Sequence, residues 1–202
     1  MGGNGRRAPV PVRLLDARAL RASIGAGRGP IGGALTGVTA VTDRGALWPV
    51  LGAALLPWSA TRRAGAAGLA AVALDAAVVH GLKLVVRRRR PPLLLRLGAR
   101  SGGRQPSTWS FPSGHTASAC AFAAAAAWQQ PWLALGLGPL AIAVPASRLT
   151  TGRHHPSDVV ASMAVGAAAG MTVSATLGAV LRRRSRRSQA AVSQPASPAS
   201  SA

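Results

Sequence analysis

Five nearly uncharged apolar stretches dominate the chain and restrict what it can fold into. Each has 16 to 25 residues, and a helix of about 20 apolar residues spans the hydrocarbon core of a bilayer. Most of their residues are Ala, Gly, Val and Leu, and small side chains allow membrane helices to pack closely. The stretches cover residues 45–60, 64–86, 113–130, 132–147 and 157–181. We therefore predict an all-α fold, an integral membrane helical bundle with about five transmembrane helices, or six.

The charge of the chain is strongly one-sided, with 24 Lys and Arg against 4 acidic residues and a net charge of +20. Such a balance is common in nucleic-acid binders. Apolar residues, however, make up 49% of the chain and charged residues only 14%. Long uncharged segments between basic clusters favour a membrane protein, and we expect no nucleic-acid partner.

The acidic residues are too few for most metal-dependent hydrolysis. They are Asp16, Asp43, Asp75 and Asp158. A two-metal phosphatase centre needs several converging carboxylates, and glycosidases need a flanking pair. The single cysteine, Cys120, excludes an intrachain disulfide and a Cys-based zinc site. We therefore expect no metal site and no cofactor.

The two ends of the chain differ from its middle. Residues 1–44 are basic, and within residues 14–24 an apolar stripe of Leu14, Leu15, Ala19 and Leu20 predicts an interfacial helix. Residues 45–181 form the predicted membrane domain. Residues 182–202 begin with an arginine cluster and are predicted to form a disordered tail.

The arginines outside the apolar stretches predict the orientation. Arg62, Arg63 and the cluster at 182–187 flank three stretches, and the positive-inside rule places them in the cytoplasm. Residues 87–112 and 147–156 then lie on the extracytoplasmic side of a multi-pass cell-membrane protein. Six arginines in the first 28 residues favour a cytoplasmic N-terminus, whereas five spans require the opposite, and both alternatives stay open.

The first candidate site segment closes the second apolar stretch. Lys83 and Arg90 are seven residues apart, which is two helical turns, so both can point at one anion. Pro91 disfavours helical geometry at Arg90, and we expect the helix to end there. The alternative is a basic stop signal next to the membrane.

The second candidate segment, Pro112-Ser113-Gly114-His115, precedes an Ala-rich stretch. Its free amides at a helix N-terminus can bind an anion, and Gly114 allows close approach of the backbone. His115 then projects from the first turn. An ordinary helix N-cap is the alternative.

The third candidate segment runs from Ser147-Arg148 to Asp158. Pro156 suits the first position of a helix, which allows the Asp158 carboxylate to reach back to the imidazole of His154. A histidine oriented by a carboxylate is the arrangement of an activated nucleophile or base. The alternative is a capping Asp beside two interfacial histidines, His154 and His155.

Together the segments read Lys-x6-Arg-Pro, Pro-Ser-Gly-His and Ser-Arg-x5-His-x3-Asp. In this order and at one membrane face, they closely resemble the type 2 phosphatidic acid phosphatase (PAP2) superfamily, which also includes vanadium haloperoxidases. The resemblance covers residues 45–181 and implies a helical bundle with the site at its mouth. It favours a small bacterial membrane phosphatase over a haloperoxidase, since the haloperoxidases are soluble and this chain has apolar stretches of membrane-spanning length.

The resemblance also implies the role of each residue. His154 would attack phosphorus and form a phosphohistidine, Asp158 would orient it, and His115 would protonate the leaving group and later activate water. The phosphoryl oxygens would be held by Lys83, Arg90, Arg148 and the amides of Ser113 and Gly114. Assignment of the nucleophile to His154 rather than His155 rests on spacing.

The expected activity is metal-independent hydrolysis of a lipid phosphate or diphosphate, of polyprenyl or glycerolipid type. The expected partners are this lipid and the bilayer, and no oligomeric state is predicted. The alternative is a noncatalytic membrane protein that binds anionic lipid or nucleic acid through its arginine clusters. Asp75 and His80 lie inside a predicted span, and we expect Asp75 to be hydrogen-bonded.

Overall fold

The computed structural model describes residues 8–43, 45–99 and 107–192, with side chains to residue 189. Its helices are α1 (Val10–Ala26), α2 (Pro30–Thr42), α3 (Leu47–Leu55), α4 (Arg62–Val86), α5 (Gly114–Gln129), α6 (Ala134–Thr150) and α7 (Pro156–Val192). Short 3-10 turns cover Leu93–Arg96 and Pro131–Leu133. The described residues contain no β-strand, and the predicted all-α fold is confirmed.

The central helix of the bundle is α5, which packs against α4, α6 and α7. Half of its 16 residues are alanine, so neighbouring backbones approach closely. A Cβ atom at Gly166 of α7 would lie 2.1 Å from the carbonyl oxygen of Ala117, and one at Gly170 would lie 2.6 Å from that of Ala121. The GxxxG pair of α7 is therefore an internal contact with α5.

Three of the predicted spans form helices that are long and apolar enough to cross a membrane, namely Arg62–Val86, Pro131–Thr150 and Pro156–Gln189. Inside the first of these, Asp75 accepts a hydrogen bond from Ser118 of α5, as expected. The stretch 45–60 differs from the prediction. It forms only the nine residues of α3, about 14 Å of helix, before the chain turns at Pro57, so α3 alone is too short to cross a bilayer.

The ends of the chain also differ from the prediction. The helix α1 buries Asp16, Leu20 and Ile24 against the bundle, whereas Leu14 and Leu15 of the predicted stripe are exposed. At the other end, α7 continues to Val192. Residues 182–192 are therefore helical rather than disordered, because Arg, Ala and Gln extend a helix readily once it is nucleated.

The helix directions bring all three candidate segments to one end of the bundle. The helices α4 and α6 end there, and α5 and α7 begin there. Arg62, Arg63 and the arginines at 182–187 lie at the opposite end. Exposed tryptophans mark that opposite end too, as expected at a membrane interface. They are Trp58, Trp128 and Trp132.

Candidate active site

A cavity of about 160 Å³ lies at the end of the bundle where the three segments meet. Six of the eight predicted site residues line it, together with Thr108 and Arg153. The six are Lys83, Arg90, Gly114, His115, Arg148 and His154. The other two, Ser113 and Asp158, are fully buried and do not line it. The structure thus joins residues that are up to 71 positions apart, from Lys83 to His154.

His154 has a defined tautomer. Its Nδ1 lies 2.7 Å from the carbonyl oxygen of Ser110, which can only accept, so Nδ1 carries the proton. Its Nε2 lies 3.2 Å from Nη1 of Arg90 and accepts that hydrogen bond. Burial, and then the positive charges of Arg90 and Lys83, lower the pKa of His154 well below its ordinary value. The imidazole is therefore neutral at pH 7, with the lone pair of Nε2 at the cavity.

Asp158 acts on His154 indirectly. Its Oδ2 lies 3.9 Å from Nδ1 of His154, beyond hydrogen-bonding distance, so the predicted direct bond is not formed. Instead, the carboxylate accepts hydrogen bonds from the Ser110 hydroxyl and from the amide of His155. Ser110 links the two residues, because its hydroxyl donates to Asp158 while its carbonyl accepts from His154. A backbone carbonyl leaves no signature in a sequence, and the motifs did not indicate Ser110.

A buried ionic network lies behind the carboxylate. Arg88 donates to Asp158 at 2.6 Å and also to Asp16 of α1. Asp16 in turn accepts from the amide of Ser157 at 2.9 Å. Burial raises the pKa of Asp16, but the hydrogen bonds from Ser157 and Arg88 outweigh it and hold the pKa below its ordinary value. Arg88 is thus a buried support for Asp158.

Lys83 and Arg90 face the cavity as predicted, but the helix that carries Lys83 does not continue to Arg90. The helix α4 ends at Val86, four residues before Arg90, and Arg87 adopts the left-handed conformation with φ of 49°. Lys83 donates to the carbonyl of Trp109 at 2.6 Å, and Arg90 donates to that of Thr108 at 2.9 Å. Burial lowers the pKa of Arg90 to about 10, so its guanidinium remains charged at neutral pH.

The start of α5 provides less anion binding than the sequence predicted. Ser113 is the N-cap and Gly114 the first helical residue. The Ser113 amide donates to the hydroxyl of Ser162 at 2.7 Å, so it is not free for a phosphoryl oxygen. Gly114 and His115 remain at the cavity wall.

A carboxylate from α2 lies among the cations. Asp43, at the end of α2, is 2.7 Å from Nη1 of Arg148 and 2.7 Å from Nη1 of Arg153. Its Oδ1 is 4.0 Å from Nε2 of His115. Burial raises the pKa of Asp43, but the hydrogen bond and charge of Arg148 prevail and lower it. The carboxylate is therefore ionised at neutral pH. Neither Asp43 nor Arg153 belongs to the sequence motifs.

In the part of the chain that the structure describes, no three His, Cys, Asp or Glu side chains are grouped to hold a metal ion. The positive charges that line the cavity are those of Lys and Arg side chains. Phosphoryl transfer needs mainly positioning and charge stabilisation, which such groups supply directly.

A cluster of cations at the mouth of a membrane bundle suits a phosphoryl group carried by a lipid, which is the chemistry of a membrane phosphatase. Residues 64–182 match the model of the PAP2 superfamily. This match covers more than half of the chain, and the protein belongs to the PAP2 superfamily. It is a PAP2-type enzyme, and three helices among its described residues are long and apolar enough to cross a membrane.

Two solved structures share the fold. A transmembrane PAP2-type phosphatidylglycerolphosphate phosphatase from Bacillus subtilis has a TM-score of 0.67 and 22% identity, over 85% of this chain and 89% of that chain. LpxE of Aquifex aeolicus has a TM-score of 0.63 and 24% identity, over 79% of this chain and 94% of that chain. No curated protein matches the chain significantly.

Proposed function

We propose that the protein hydrolyses a terminal phosphate of a polyprenyl or glycerolipid phosphate or diphosphate through a phosphohistidine at His154. One observation carries this proposal: the neutral, buried imidazole presents Nε2 to a cavity lined by four cationic side chains. These are Lys83, Arg90, Arg148 and Arg153. A nucleophile needs an available lone pair, and a hydrogen bond to its other nitrogen fixes the required tautomer.

In the first step, the lone pair of His154 Nε2 attacks phosphorus, and the bond from phosphorus to the leaving oxygen breaks. The leaving oxygen takes a proton from His115, whose protonated form the incoming phosphoryl charge favours. In the second step, His115 takes a proton from water, which attacks the phosphohistidine. The nitrogen–phosphorus bond then breaks, and inorganic phosphate and the neutral His154 are restored.

The cations bind the phosphoryl oxygens and stabilise the charge of the transition state. Arg90 moves its hydrogen bond from Nε2 of His154 to a phosphoryl oxygen, which frees the lone pair. Asp43 occupies the place of an anion between Arg148 and Arg153. An incoming phosphoryl group therefore replaces this carboxylate on the two guanidinium groups.

The surroundings of the site suit a lipid substrate. The 3-10 turn directly after Arg90 exposes leucines at the end of α4, where a spanning helix leaves the bilayer. They are Leu93, Leu94 and Leu97. Apolar side chains at this level are stabilised by contact with acyl or prenyl chains rather than water.

From the arginine distribution we infer that the site lies on the extracytoplasmic face of the cell membrane. The test uses a single introduced cysteine, Ser107→Cys, in a Cys120→Ala background. An impermeant maleimide should label it from outside intact cells, and Ser188→Cys at the far end of α7 should react only after lysis. The opposite pattern would overturn this orientation.

The chemical test measures phosphate release from a panel of polyprenyl and glycerolipid phosphates and diphosphates, with EDTA present. His154→Ala and His115→Ala should reduce kcat by at least about a hundredfold. His80→Ala, on an exposed face of α4, is the matched control and should retain activity. A phosphoenzyme trapped in alkaline denaturant should be lost in His154→Ala and kept in His155→Ala. Full activity in His154→Ala would refute the mechanism.

A further inference from the structure

A cleft separates α1 from the 3-10 turn Leu93–Arg96, next to the catalytic cavity. It consists of two cavities, of about 450 and 320 Å³, and Leu95 lines both. Arg13 lines the first and Arg21 the second. We call this pair of cavities the α1 cleft. Its combined size exceeds that of the catalytic cavity. Arg90 lines both the first cavity and the catalytic cavity, but neither the sequence motifs nor the proposed reaction uses Arg13 or Arg21.

The α1 cleft has unbalanced positive charge. Arg13 and Arg21 are eight residues apart on α1, which places them about 80° apart around the helix axis, on one side. Within the described residues, neither side chain has a hydrogen bond or an ion pair. The nearby carboxylate of Asp16 is buried and already bound by Arg88 and Ser157. The two guanidinium groups are therefore available to an anion.

The wall of the second cavity that faces α1 is apolar and exposed, whereas that of the first cavity includes Arg88, Arg89 and Arg90. Leu94 is 77% exposed and Leu97 is 64% exposed, and both line the second cavity. Exposed leucines beside unpaired arginines match an amphipathic ligand with an anionic head and an apolar tail. At the end of a spanning helix, such a ligand is supplied by the bilayer.

We propose that the α1 cleft binds an anionic phospholipid, with its phosphate at the arginines of α1 and its acyl chains along the leucines of the turn. The lipid is separate from the substrate in the catalytic cavity. It holds α1 against the bundle, and α1 carries the Asp16 that fixes Arg88 next to Asp158. Anionic lipid therefore supports the buried network behind the nucleophile. Binding at the α1 cleft does not depend on the proposed reaction.

The test measures binding of spin-labelled phosphatidylglycerol and spin-labelled phosphatidylcholine to the purified full chain in phosphatidylcholine nanodiscs. The wild type should bind phosphatidylglycerol preferentially. Arg13→Gln with Arg21→Gln should weaken this binding about tenfold. Arg182→Gln with Arg186→Gln removes the same charge at the other end of the bundle and should change it less than about twofold. Unchanged circular dichroism and phosphate release in detergent would show that the α1 variant is folded.

Two results would overturn the proposal. One is equal binding of phosphatidylglycerol by the wild type and the α1 variant, since Arg13 and Arg21 would then not contribute to lipid binding. The other is displacement of phosphatidylglycerol by equimolar inorganic phosphate, which would indicate a site for free phosphate rather than for a lipid. Because the readout is lipid binding, failure of the proposed reaction would leave it unaffected.

Discussion

We expect the carboxylate of Asp43 to compete with phosphate inside the catalytic cavity, and Asp43→Asn tests this competition. The side chain lies 2.7 Å from both Arg148 and Arg153. Asparagine keeps the shape and one acceptor but removes the negative charge. We expect the variant to bind inorganic phosphate more tightly and to have a lower KM, because the phosphoryl group no longer displaces a charged competitor.

The magnitude follows from the contacts that are lost. A hydrogen bond between charged groups contributes about 1.5–3 kcal/mol when buried. The Asp43 side chain is 30% exposed, and solvent reduces this contribution. If removal of the Asp43 charge makes phosphate binding more favourable by about 1.4 kcal/mol, the dissociation constant for phosphate is approximately tenfold lower.

Two measurements check this prediction, namely the competitive inhibition constant of inorganic phosphate and its dissociation constant by calorimetry. Thr42→Val is the matched control. It removes a 2.8 Å hydrogen bond to Arg148 without changing the charge, and phosphate affinity should change less than about threefold. The unfolding temperature of Asp43→Asn should fall without phosphate, since Arg148 is 1% exposed, and recover with phosphate. Equal or weaker phosphate binding by Asp43→Asn would refute the reasoning.

Three further predictions concern packing, the buried network and pH. Gly166→Ala should destabilise the protein by more than about 2 kcal/mol, because its Cβ would lie 2.1 Å from a backbone oxygen. Gly136→Ala in open space should instead stabilise α6 slightly, and equal unfolding temperatures for the two variants would contradict the packing. Arg88→Gln leaves two carboxylates without their cation, and we expect about 3 kcal/mol of destabilisation and a lower kcat with little change in KM. A wild-type kcat would show that the network is not needed for catalysis. The lowered pKa of His154 means that the unfolded chain binds its proton first as the pH falls. The neutral His154 therefore makes its full contribution to stability above about pH 6.5, and this contribution is lost below that pH. On acidification, the unfolding temperature of His154→Ala should fall less than that of the wild type. Parallel curves for the variant and the wild type would contradict this assignment.

The residues close together in sequence were the ones that could be predicted. Gly114 and His115 start α5, and His154 and Asp158 flank the start of α7, so helix periodicity and capping chemistry suffice to place them at helix ends. Lys83 and Arg90 face one cavity as expected, although the backbone between them is not helical to Arg90. Five apolar stretches likewise predict the membrane bundle, because a bilayer accepts only backbones that satisfy their own hydrogen bonds.

Partners far apart in sequence could not be predicted in the same way. Asp16 is 72 residues from Arg88, and Asp43 is 105 residues from Arg148, so no local pattern links them. The tautomer of His154 is fixed by the backbone carbonyl of Ser110. Every residue has such a carbonyl, so the residue type at position 110 does not indicate this role. The sequence by itself determined the membrane bundle, the proposed reacting groups and the cations near them. Only the tertiary structure decided which carboxylates pair with those cations, because ion pairing depends on distance in space and burial rather than on position along the chain.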